Sequence, residues 1–148
     1  MENRPFQVRA IGEIAIRCID HGAMVAFYRD VIGLTLMNDP DKSPIAFFRI
    51  AEGFEGHTAV LALFRHEVEG AGRAFGSPQP PTTGSASSLH HLALSLTWDD
   101  QDAVMDWYDH LGLPYDVAYF DWVGWRGIFT HDPDGNTVEL VAKDPGKR

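Results

Sequence analysis

Cysteine is nearly absent. Cys18 is the single thiol among 148 residues, so no intrachain disulfide can staple this chain and its stability must come from packing. It falls in an apolar alternating stretch, where a small core residue is expected. Long hydrophobic runs are missing too: nothing approaches the roughly 20 apolar residues that cross a bilayer. Residues 1–5, MENRP, lack the apolar centre of a secretory signal. The expectation is a soluble, cytoplasmic chain without a membrane partner. Positive charge is also scarce, with 12 Lys and Arg against 21 Asp and Glu for a net charge of −9. Such a surface repels nucleic acid and anionic lipid, which removes nucleic acid from the expected partners.

What the chain does have is 45% apolar side chains, enough for one compact unit or two small halves. Their spacing repeats. In residues 12–19, GEIAIRCI, Ile14, Ile16 and Cys18 alternate with Glu13, Ala15 and Arg17, the period of a strand. Asp20 then stands at an N-cap position, and Ala23, Met24, Phe27, Tyr28 and Val31 recur at helical spacing until Gly33. Strands are expected at 34–37, 44–50 and 57–64. After a stretch rich in Gly, Pro and Ser, which reads as a spacer or as a lid, the order returns. A strand is expected over 88–97, a helix over 100–111, and strands at 116–120, 125–130 and 137–142. Glu-Ile-Ala-Ile-Arg at 13–17 matches His-Leu-Ala-Leu-Ser at 91–95 position for position, and FYRDVIGL at 27–34 is echoed by WYDHLGL at 107–113, one residue shorter. The reading is an α+β chain of two tandem β-α-β-β-β modules, 1–66 and 88–148, joined by a linker at 67–87.

The last hairpin carries the chemistry. Asp132-Pro133-Asp134-Gly135-Asn136 favours a tight reversal, and on the strand after it Glu139 lies between Val138 and Leu140. Thr137, Glu139 and Val141 share one face. A carboxylate there must find a cation, a proton or water, because burying it unpaired costs several kcal/mol. It is a candidate metal ligand or a carboxylate on a solvated face. His90 and His91 adjoin in a strand pattern, so they are expected to point to opposite faces.

The doubled unit, the FYRD-x-x-G-L helix end and the closing DPDGN-x-V-E-L hairpin resemble the vicinal-oxygen-chelate superfamily, which includes glyoxalase I, extradiol dioxygenases and bleomycin-binding proteins. The resemblance covers nearly all of the chain outside the linker and implies that both mixed sheets curve into a shared cup, helices outside. It also implies a divalent metal held by residues from the first and last strands of the modules. By position these fall on Glu13, His91 and Glu139, while the fourth place, a glutamate in glyoxalase I, falls on Ala62. Three donors remain, two carboxylates and an imidazole, a set suited to Zn, Mn, Fe, Co or Ni. The implied function is a metal-dependent lyase or isomerase acting on a small organic substrate chelated through vicinal oxygens, with Glu139 or Glu13 as the catalytic base. The alternatives are a metal-free, bleomycin-resistance-like binding protein and an extradiol-type ring-cleaving dioxygenase. A homodimer is the expected assembly.

Other residues could contact such a substrate. Arg17 shares the Glu13 face and Arg126 lies on the strand before the hairpin turn; each could grip a carboxylate or phosphate. Phe48, Tyr119, Trp122 and Trp125 belong to aromatic groups that form core or else rim a cup.

Overall fold

The computed structural model describes residues 3–68 and 78–148, so the part of the linker at 69–77 lies outside the described residues. It divides into two compact units, Met1–Pro81 and Thr82–Arg148. In the first, strand β1 (Glu13–Cys18) leads to helix α1 (His21–Ala26), a π-helical turn (Phe27–Val31), and strands β2 (Thr35–Leu36), β3 (Ile45–Phe54) and β4 (His57–Arg65). The strands lie in the order β1-β4-β3-β2, with β1 parallel to β4 and the other pairs antiparallel. In the second, β5 (Leu92–Ser95), helix α2 (Asp100–Leu111), β6 (Asp116–Phe120), β7 (Trp125–His131) and β8 (Thr137–Lys143) repeat that order. Their sheet runs β5-β8-β7-β6, again with only the first pair parallel. The α+β class and the doubled β-α-β-β-β order are both present. Among the described residues no helix is long and apolar enough to cross a membrane.

In the first unit the Asp20 carboxylate accepts from the Ala23 N–H at 3.0 Å, capping α1 where the sequence placed the cap. Met24 and Tyr28 are fully buried with Cys18, Phe48, Leu61 and Leu63, and the Tyr28 ring lies 6.5 Å from that of Phe48. His21 fixes the start of the helix through a 3.0 Å hydrogen bond between Nε2 and the Leu63 carbonyl.

The single helix expected up to Gly33 turns out to be six α-helical residues followed by a five-residue π turn, closed by the Ile32 N–H on the Phe27 carbonyl at 3.1 Å. The residue by which 27–34 exceeds 107–113 is absorbed there. Tyr28 and Tyr108, equivalent in the repeat, are 0% and 1% exposed, and each helix still ends on a glycine of positive φ, Gly33 at 85° and Gly112 at 65°. Adding one residue to a turn keeps both ends of the insertion in place, which a regular helix cannot do.

Strand β5 begins at Leu92, not at 88 as expected, because its parallel partner β8 supplies ladder positions only from Val138 onward. His90 and His91 therefore precede the regular strand and escape its alternation.

The two faces of the second sheet differ in purpose. Toward α2, Ile128, Val138, Leu140 and Ala142 are buried around a polar plug. Gln101, fully buried, donates its amide to the carbonyls of Arg126 (2.6 Å) and Leu140 (3.1 Å), and Arg126 Nε donates to Gln101 Oε1 at 2.6 Å. The Arg126 guanidinium also lies 4.1 Å over the Trp98 ring and donates to the Trp98 carbonyl at 3.2 Å.

Tyr108 is buried in the same unit, and its hydroxyl has no hydrogen-bond partner among the described residues. Burial pushes its phenol up to about 12. The folded chain thus keeps a proton that the unfolded chain begins to release near pH 10; this contribution is complete below that pH and is lost as the pH rises toward 12. Tyr108→Phe removes the unsatisfied hydroxyl and should raise stability by about 1 kcal/mol at neutral pH. Urea midpoints measured from neutral to alkaline pH should fall less steeply for the variant than for the parent.

Candidate functional site

Alternation along β8 places Thr137, Glu139 and Val141 on the face away from α2, and the register sets Glu139 between Ala93 of β5 and Phe129 of β7. Strands on both sides cover it, and Glu139 is 5% exposed. Its Oε2 lies 3.1 Å from His91 Nε2, the carboxylate's one hydrogen-bonding partner among the described residues. Rings wall the pair: Phe129 lies 6.0 Å from the His91 ring and 6.4 Å from Phe120.

Room for the carboxylate comes from a glycine. Gly127 shares this face of β7, and a Cβ built there would collide with Glu139 Oε1 and lie 2.7 Å from the Phe129 ring. The space a side chain would fill is the space the carboxylate uses. A glycine inside a strand carries the signature of a close approach, so the sequence held a sign of Gly127 that the search for ligands overlooked.

His90 was also missed. Its Nδ1 lies 2.8 Å from His91 Nδ1, so one ring donates and the other accepts, while His91 Nε2 faces Glu139. The expectation that the two imidazoles point apart fails because neither belongs to a paired strand. With Nδ1 engaged by a neighbour, the remaining ring nitrogen is oriented as metal-bound histidines are.

The other expected residues are dispersed. Glu13 is exposed on β1 beside Val60, and Arg17, also exposed, follows on the same face. The register repeats faithfully within each unit: Ala15 pairs with Ala62 as Ala93 pairs with Glu139, so Ala62 holds the position that Glu139 holds in the second unit. Phe48 is core, fully buried near Tyr28. Arg126 lies on the α2 side of its sheet, engaged by Gln101 and Trp98, and Tyr119, its register partner, points to that side as well. Both are therefore across the sheet from Glu139, because odd and even positions of paired strands face opposite ways. Trp122 stands in the turn after β6, 84% exposed. Trp125 alone of the expected aromatic contacts shares the face of Glu139 and Gly127.

Among the described residues no group of three or more His, Cys, Asp or Glu is gathered so as to hold a metal ion. The His91 and Glu139 pair has suitable chemistry for two positions, a nitrogen and a carboxylate oxygen.

The family model described as "Glyoxalase/Bleomycin resistance protein/Dioxygenase superfamily" matches residues 10–140. The uncharacterized protein YaeR of Escherichia coli (strain K12) is 28% identical over 140 residues, 92% of this chain and 98% of that one. Among solved structures, the lactoylglutathione lyase of Agrobacterium tumefaciens superposes with a TM-score of 0.68 at 22% identity, covering 94% of this chain and 96% of its own. A glyoxalase/dioxygenase from Nostoc punctiforme gives 0.68 at 20% identity, covering 97% of each. At these identities the structural likeness is one of fold.

Gly127→Ala should force the Glu139 carboxylate out of its place and cost about 1–3 kcal/mol by overpacking. Removing the carboxylate relieves the tighter of the two collisions and leaves the one with Phe129, so a double-mutant cycle with Glu139→Ala, followed by urea unfolding, should show the two losses to be non-additive.

Proposed function

We propose, since this chain belongs to the glyoxalase/bleomycin resistance protein/dioxygenase superfamily, that it is a metal-dependent lyase or isomerase whose centre is His91 and Glu139. The observation that carries the reading is the buried carboxylate, 3.1 Å from one imidazole and set in a space that Gly127 leaves open. A carboxylate so enclosed is a strong ligand for a cation. The ion, when bound, supplies Lewis-acid polarisation of two neighbouring oxygens on a small organic substrate.

The chain's own groups do the rest. Glu139, whose Oε1 packs against Gly127, would take a proton from a carbon of the substrate and return it to a neighbouring atom. His90 holds the His91 ring in orientation through the Nδ1 contact. Phe120 and Phe129 exclude water from one side of the pair, which strengthens every charge interaction there. The lactoylglutathione lyase activity named for the Agrobacterium tumefaciens neighbour favours proton-transfer chemistry, although Ala62 stands where that kind of enzyme is expected to carry a further glutamate. A homodimer in the cytoplasm completes the proposal, on family likeness.

The aromatic wall formed by Phe120 and Phe129, with Trp125 46% exposed on the same face, favours a second reading: sequestration of an aromatic compound without metal. Elemental analysis of protein purified without chelator separates the two. The enzyme reading expects a stoichiometric divalent ion, lost in His91→Ala and Glu139→Gln. A metal-free parent that binds aromatic ligands would replace it with the second reading.

A further inference from the structure

Residues 82–88 read TTGSASS, a hydroxyl-rich segment that precedes β5 and contains a short 3-10 turn, Gly84–Ala86. A cleft of about 580 Å³ separates it from the end of the β7–β8 hairpin. We propose that this cleft binds an uncharged, hydroxyl-bearing part of the substrate.

Its chemistry is the first argument. Ser85, Ser87 and Ser88 line it from the loop, His90 from the approach to β5, and His131 and Thr137 from facing positions of the hairpin. No Lys, Arg, Asp or Glu is among the lining residues. An anionic group would find no fixed cation there, and a cationic group no carboxylate. Hydroxyls and imidazoles both donate and accept, which is the pattern a run of alcohol groups requires. The Ser87 hydroxyl accepts from the Leu89 N–H at 3.1 Å and still has its own proton to donate. The Asn136 amide donates to Asp132 at 2.9 Å.

Position is the second argument. Thr137 and Glu139 share a face of β8 and, being two residues apart, are separated by about 7 Å along the strand. His90 lines the cleft and also touches His91. Neither His91 nor Glu139 lines the cleft, but a small molecule with its reacting end at the pair would carry its next carbons past His90 toward it. Resting on the functional reading above, this assigns the substrate class: a polyhydroxylated carbonyl compound, sugar-like and uncharged.

The test is titration of the full ¹⁵N-labelled chain with myo-inositol and with D-fructose as neutral probes, and with inorganic phosphate as the anionic one. The neutral probes should shift the amide signals of Ser85, Ser88, His131 and Thr137 saturably, and phosphate should not. Thr137→Val combined with Ser88→Ala should weaken binding roughly tenfold, as expected for losing two hydrogen bonds, with metal content unchanged. Shifts with phosphate alone, or with none of the probes, overturn the cleft assignment. The two readings fail separately: a metal-free parent that still shows the polyol shifts supports the cleft and removes the metal centre, whereas a metal-bearing parent without shifts removes the cleft alone.

Discussion

A carboxylate placed mid-strand, with a neighbouring strand on either side, is the constraint on which the second unit depends. Glu139 is 5% exposed, and a charge so far from water has to be met by a partner with good geometry. The surroundings answer that demand locally. Gly127 gives up its side chain, β5 starts late enough to leave His91 free of the ladder, and the Asp132 turn fixes the hairpin that carries the residue. That turn is itself tightly bonded: one Asp132 oxygen accepts from the N–H groups of Asp134 (3.1 Å) and Asn136 (2.9 Å), and Gly135 supplies the positive φ of 88°. A rigid turn ending at Asn136, immediately before Thr137, limits how far the carboxylate can wander, which a site built on strands needs.

The opposite face of the same sheet handles polarity differently. There Gln101 and Arg126 satisfy each other and two backbone carbonyls, while Trp98 covers the guanidinium. Both amide protons and the carbonyl oxygen of Gln101 have partners, so the plug specifies how α2 sits on the sheet. On the Glu139 face the polar contacts are fewer, the carboxylate meeting His91 alone among the described residues. A single sheet thus separates two polar clusters by the alternation of its strands.

Duplication explains where chemistry was kept and where it was dropped. Both units retain the parallel first and last strands, the buried tyrosine and the glycine helix end. Yet the position of Glu139 is Ala62 in the first unit, fully buried. Scaffold residues recur because each unit must bury its own helix. The carboxylate does not recur because packing has no use for it. The inserted residue in the first helix shows how tolerant that scaffold is, since a π turn takes it up without moving Tyr28 or Gly33 from their roles.

Much of this was legible from the chain as written. Alternation, helical spacing, Asp20, Gly33, Gly112 and the DPDGN turn are local signals, governed by φ preference and side-chain period, and they determined the element order, the repeat and the candidacy of Glu139, while that of His91 came from the family resemblance. What only the tertiary structure decided depends on strand partners. The register of β5 against β8 took His90 and His91 out of alternation and joined their rings, and the register of β7 against β8 put Gly127 beside Glu139 while carrying Arg126 and Tyr119 to the far side. Period alone says which residues share a face within a strand; which face of a neighbour they meet is set by long-range pairing, and no local pattern encodes that.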